Sequence, residues 1–238
     1  MQIQESQSDS RIGESEAPVR KIHEDSLHRG VIFDLDGTLV DSTREIHHAI
    51  CMTLQDWKLP PRDLQETAGL VGQPPSSFFE QTIPPSDIDL AVHTFRRHLE
   101  SILGTESTLY EGTFELLEQC QDRGLVMGIA SNKSNRLAQL VVEKLGIAEF
   151  FGAVIGTDGI PSKPSPQVVV KAMVQLNMAE GLMIGDTSAD IVAGKSAGLR
   201  TVGIMHGPGG GAGLTGADWV TRDMHSLKEL LNSQEVYA

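Results

Sequence analysis

Short apolar runs punctuate the chain at regular intervals. Gly30-Val31-Ile32-Phe33 stops at Asp34, Leu125 to Ala130 stops at Ser131, and Leu182-Met183-Ile184-Gly185 stops at Asp186. Ala153 to Gly156 and Thr201 to Ile204 complete the set. None alternates between apolar and polar positions, as expected of strands covered on both faces of a parallel sheet. Helical spacing fills the intervals: Phe114, Leu117 and Cys120; Leu137, Leu140, Val141 and Leu145; Val169, Met173 and Leu176; Ala189, Val192 and Ala193. Gly124, Gly146 and Gly198 follow three of these segments, where a left-handed residue closes a helix. Strands alternating with helices predict βαβ units and a doubly wound α/β fold with a parallel sheet.

The rhythm breaks once. From Ser42 to Thr108 the chain is far longer than a crossover between strands requires. Ile46, Ala49, Ile50, Leu54 and Trp57 form one amphipathic stripe, and Ala91, Phe95, Leu99 and Ile102 another, with glycine- and proline-containing stretches between them. The expectation is a small helical unit, 42–108, inserted into a core built from 30–41 and 109–238. Residues 1–29 are rich in Glu, Ser, Gln and Asp with isolated aliphatics, and read as a flexible extension with too little apolar surface to offset ordering entropy. Gly207 to Gly216 reads as a mobile loop before a last helix near Leu227–Leu231, and Trp57 and Trp219 as packing residues. His47 and His48 fall on a polar helical face and read as solvated.

Composition narrows the function. The chain has 238 residues and a net charge of −13; the extension holds six acids and four bases, so the remainder still carries −11. That excludes a generic binder of nucleic acid or anionic membrane, which shows a basic excess. No apolar run approaches a membrane span. Two cysteines give neither a disulfide framework nor zinc-ligand spacing, and predict a reduced, cytoplasmic chain.

Candidate chemistry sits at the strand ends, where an open α/β sheet binds its ligands. Asp34 and Asp36 flank Leu35 and precede Gly37 and Thr38; two carboxylates so close repel unless a cation or proton joins them. A hard divalent ion such as Mg²⁺ fits. A strand-end acid followed by a turn acid is the plainer alternative. Asp186 and Asp190, four apart at a helix start, share one face; stabilisation of the helix N-terminus would also explain them. Ser131 and Asn132 open a helix and offer a hydroxyl and free N–H groups to an anion, or simply an N-cap. Lys163 lies in the stiff Pro161-Ser162-Lys163-Pro164-Ser165-Pro166 loop, which can aim its ammonium at a phosphate, although isolated lysines are more often solvated.

Taken in chain order, Asp34-x-Asp36-Gly37-Thr38, Ser131, Lys163 and Gly185-Asp186-x-x-x-Asp190 resemble the haloacid dehalogenase superfamily of phosphotransferases, over roughly residues 30–232. The insert resembles the helical cap of the subfamily that includes phosphoglycolate phosphatases and β-phosphoglucomutases. The resemblance implies Asp34 as the nucleophile that becomes an aspartyl-phosphate and Asp36 as the acid, then the base. It implies Ser131, Lys163, Asn132, Gly37 and Thr38 around the phosphoryl group. Mg²⁺ would be held by Asp34, Asp186 and the main-chain carbonyl of Asp36, with Asp190 in support. A carboxylate two residues after the nucleophile favours phosphate esters over dehalogenation. The implied partner is a small phosphorylated metabolite, with no nucleic acid or membrane and the oligomeric state open. Lys58, Arg62, His93, Arg96 and Arg97 are the cap cations available to an acidic substrate such as phosphoglycolate, and Gln73 and Ser76 the polar side chains of the Gly69–Pro75 loop region. A phosphomutase is the runner-up. A non-enzymatic phospho-acceptor domain is the alternative from another class.

Overall fold

The computed structural model describes residues 27–208, 210, 211, 213–233 and 236. The extension expected over 1–29 therefore lies outside the described residues except at its end. There the first strand begins earlier than the apolar run suggests: β1 spans His28–Phe33, and His28 and Arg29 pair with Met178 and Glu180.

The chain then forms β2 (Val40–Asp41), α1 (Thr43–Asp56), α2 (Leu64–Ala68), α3 (Ile88–Ile102), β3 (Thr108–Leu109) and α4 (Thr113–Asp122). Next come β4 (Val126–Ala130), α5 (Asn135–Lys144), β5 (Ala153–Ile155), α6 (Gln167–Gln175), β6 (Met178–Gly185) and α7 (Ser188–Ser196). The last elements are β7 (Arg200–Ile204), β8 (Trp219–Thr221) and α8 (Met224–Asn232). Six strands form one parallel sheet in the order β5-β4-β1-β6-β7-β8. β1 lies inside it, between β4 and β6, so its carboxyl end opens at the centre of the sheet edge, where the order reverses.

Alternation along β1 explains both layers. Val31 and Phe33 join the cluster containing Leu116, Leu117 and Cys120 of α4, Leu137 and Val141 of α5, and Met224 and Leu227 of α8. Ile32 faces the other way, with Val168, Val169 and Ala172 of α6 and Ala193 of α7. The helical stripes hold with local corrections. Leu116 rather than Phe114 enters the core from α4, and Ile191 rather than Val192 from α7; Phe114 and Val192 are exposed. β8 is a further correction, because a three-residue edge strand after a glycine-rich segment leaves almost no periodic trace. Its Trp219 is half-buried, with the Arg200 guanidinium 5.7 Å from the ring centre.

The long interval is helical, as its stripes require. α1 packs on α3, and Phe78, Phe79 and Phe95 meet edge-to-face with ring centres 5.3–6.3 Å apart. The chain enters and leaves this segment through the antiparallel β2–β3 pair. Glu45, buried on α1, accepts hydrogen bonds from Thr105 N, Glu106 N and Ser107 Oγ, which ties the outgoing strand to the incoming helix.

Candidate active site

Asp34 follows β1 and continues its pairing, its N–H donating to Ile184 O at 2.8 Å. The chain then turns sharply: Thr38, Leu39 and Val40 all donate backbone N–H groups to Leu35 O. Gly37 makes this turn with φ +88°. A Cβ there would lie 2.4 Å from Asp186 Oδ2, so the position needs glycine both for conformation and for space. Gly207 presses on the same carboxylate from the other side, with 2.2 Å to a would-be Cβ. The segment read as a mobile loop thus starts as a wall of the site.

Four of the expected residues come together at the sheet edge. Lys163 is 1% exposed, and its ammonium donates to Asp34 Oδ1 at 2.7 Å, Asp190 Oδ1 at 2.6 Å and Ala130 O at 2.7 Å. Its three N–H bonds are all committed, so it holds and neutralises Asp34 rather than standing free for a phosphate. Asp190 is equally committed: its Oδ2 accepts from the Thr187 N–H and hydroxyl, closing the capping box of α7. Asp186 accepts from the Thr38 hydroxyl at 3.0 Å. Thr38 therefore reaches the acidic cluster through its hydroxyl.

The oxygens of Asp34, Asp186 and Asp190 lie within 4.8 Å of one another. The Asp36 side chain, expected among the metal residues, is not in this group. Its Oδ1 accepts from Ser42 Oγ at 2.6 Å, and its Oδ2 pairs with Lys133 Nζ at 3.0 Å. Only its main-chain carbonyl remains for the metal role that the resemblance implies.

Ser131 Oγ accepts from Lys133 N at 3.2 Å, which leaves its own O–H to donate. Asn132 is a brace: its Oδ1 accepts from Lys163 N at 2.8 Å, and its Nδ2 donates to Gly72 O at 2.9 Å. That second bond joins the core to the inserted segment. Gly72 stands over the nucleophile candidate, since a Cβ on it would be 3.9 Å from Asp34 Oδ2.

The electrostatics call for a cation. Asp34 Oδ2 is buried and has no hydrogen-bond partner. Burial is the main cause that pushes the Asp34 carboxyl up to about 7, against the pull of Lys163. Burial, then the neighbouring Asp190 and Asp34, push Asp186 up to about 8. Burial also pulls the Lys163 ammonium down, but Asp190 and Asp34 outweigh it and hold its pKa above the usual lysine range. Fully ionised, Asp34, Asp36, Asp186 and Asp190 carry four negative charges against the ammonium groups of Lys163 and Lys133, a surplus of two. An oxygen-only donor set with that surplus and an orphaned oxygen fits one hard divalent cation such as Mg²⁺.

Sequence reasoning missed Lys133 as a site residue. Its position two residues past a strand-ending serine was the available indication. Beside Asp36 a cavity of about 30 Å³ separates core from insert, lined among others by Ser131, Lys133, Gly72, Phe78, Phe95 and Arg96. Of the insert cations considered, Arg96 lines it. Arg62 instead donates to Phe78 O at 2.7 Å, while Lys58, His93 and Arg97 are exposed.

The family model described as "haloacid dehalogenase-like hydrolase" matches residues 31–204, and the chain belongs to that family. A phosphoglycolate phosphatase of Shigella dysenteriae serotype 1 is 31% identical over 208 residues, covering 75% of this chain and 82% of the relative. A pyrophosphatase of Halalkalibacterium halodurans is 28% identical over 193 residues, covering 80% and 86%. The crystal structure of a predicted phosphatase from Clostridium acetobutylicum superposes with a TM-score of 0.79 at 27% identity, covering 87% of this chain and 99% of that one. The protein is a hydrolase of the phosphatase type, which sets aside a non-enzymatic phospho-acceptor domain.

Proposed function

We propose that the protein is a Mg²⁺-dependent phosphatase of small phosphate monoesters, similar in activity to phosphoglycolate phosphatases, in which residues 42–108 act as a cap over a core of 30–41 and 109–238. One observation carries the reading: Asp34 is buried with one oxygen fixed by Lys163 and the other unpartnered beneath Gly72.

Asp34 attacks the phosphorus in line with the ester oxygen. The P–O ester bond breaks, and Asp36 delivers a proton to the leaving oxygen. Asp36 then takes a proton from water, which attacks the aspartyl-phosphate, releases inorganic phosphate and restores Asp34. Ser131 donates its hydroxyl to a phosphoryl oxygen, and Lys163 holds Asp34 in line. Ser42 and Lys133 fix the orientation of Asp36. Asp34, Asp186 and the Asp36 carbonyl would hold Mg²⁺, which supplies positive charge against the developing charge of the phosphoryl group. Burial concentrates these interactions by excluding water.

A phosphomutase would need an acid/base group on the cap side to handle a second hydroxyl. The insert contributes no carboxylate or imidazole to the cavity lining, which favours hydrolysis. The free thiols of Cys51 and Cys120 support a reducing, cytoplasmic setting, and among the described residues no helix is long and apolar enough to cross a membrane.

The test is release of inorganic phosphate from a panel of small phosphate esters with Mg²⁺ or with a chelator. Asp34→Asn should lower kcat by about a thousandfold or more, as expected for loss of a nucleophile. A wild-type protein inactive on every ester, or a variant that keeps its activity, overturns the reading.

A further inference from the structure

We infer that Arg96 selects the substrate by binding a second anionic group, a carboxylate or phosphoryl group, carried a few bonds from the scissile ester oxygen. The inference rests on the phosphatase reading and deepens it. Arg96 is on α3, and its Nε is buried with no hydrogen-bond partner. It has no acidic partner among the described residues. Buried N–H groups of a guanidinium are rarely left in that state, because desolvation without a partner is costly. The missing partner is best supplied by a ligand, since the residue lines the cavity that also reaches Asp36 and Ser131.

The cavity gives the ligand its class. Ile46, Phe78, Phe95 and Leu99 form apolar walls, which strengthen any charge pairing inside. Lys133, the other cation on the lining, is already paired with Asp36. Arg96 is therefore the cation with capacity to spare, and its fork suits a planar carboxylate or a phosphoryl group. A two-carbon acid phosphate or pyrophosphate carries such a second anionic group, and a hexose monophosphate does not.

The experiment compares kcat/KM for phosphoglycolate and for pyrophosphate with that for ethylene glycol monophosphate, a neutral counterpart of phosphoglycolate. In the wild-type protein the acidic substrates should be preferred. Arg96→Gln should reduce the acidic-to-neutral ratio by about 30-fold or more, the scale of a lost charge-assisted pair. Arg96→Lys, which keeps the charge but not the fork, should fall between. A ratio that moves less than about threefold in a folded Arg96→Gln protein that still hydrolyses phosphate esters overturns the inference alone. A wild-type protein inactive on these three but active on other esters of the panel also overturns the inference alone, and one inactive on every ester overturns the phosphatase reading beneath it.

Discussion

The carboxyls of Asp34 and Asp186 hold protons more tightly in the folded chain than in the unfolded one, because burial, then repulsion from neighbouring carboxylates, Asp190 for both, disfavours their charged forms. Their contribution to stability is complete below the unfolded carboxylate pKa of about 4 and is lost as pH rises through about 7 to 8. The proposed Mg²⁺ would compete with those protons. Its stabilising effect on Tm should therefore grow from about pH 5 to about pH 8, and at about pH 6 each bound ion should release more than about one proton. Calorimetry in buffers of different ionisation enthalpy measures the release. Binding heats that do not depend on the buffer would contradict the charge balance described for the cluster. At the same scale, Gly37 and Gly207 leave Asp186 room only because neither carries a Cβ.

Among the elements, the joint between core and insert carries the most informative interaction. Glu45 gathers three donors from residues 105–107 although it belongs to α1, about 60 residues earlier in the chain. Removing its carboxylate leaves those donors without their partner, at a cost of about 1–3 kcal/mol for the buried hydroxyl of Ser107 alone. Glu45→Ala should lower Tm by several degrees and open the 104–107 connection to proteolysis before the rest of the chain. Limited digestion with mapping of the first cut checks this. A first cut elsewhere would show that the joint is held by other contacts. Asn132 makes the matching bond at the far side of the insert, to Gly72 O, so both flanks of α1–α3 are tied to the core by named side chains.

For the whole molecule, charge opposes the proposed task. A chain of net charge −13 repels a dianionic ester at long range, and the site's cations act only at close quarters. With Mg²⁺ saturating, kcat/KM for an anionic phosphate ester should rise, by about twofold, between roughly 10 and 150 mM monovalent salt as the repulsion is screened. A steep fall over the same range would mean that the local positive field dominates association.

The apolar runs were enough to read the parallel sheet, and their polar ends marked residues that meet at its edge. Strands buried on both faces and helices closed by glycine leave periodic traces, and ligand chemistry at strand ends is fixed by topology. Short elements left no such trace: β8, the β2–β3 pair and the first two residues of β1 are specified by pairing with distant partners. So are individual side-chain commitments. No spacing in the sequence indicates that Asp36 turns to Lys133 and Ser42 instead of the acidic cluster, or that Lys163 spends all its donors on Asp34, Asp190 and Ala130. Five cations within residues 42–108 were candidates for the proposed cap. Packing of α3 against the 72–78 segment is what brings Arg96 alone to the cavity, and that is a matter of three-dimensional contact rather than of order along the chain.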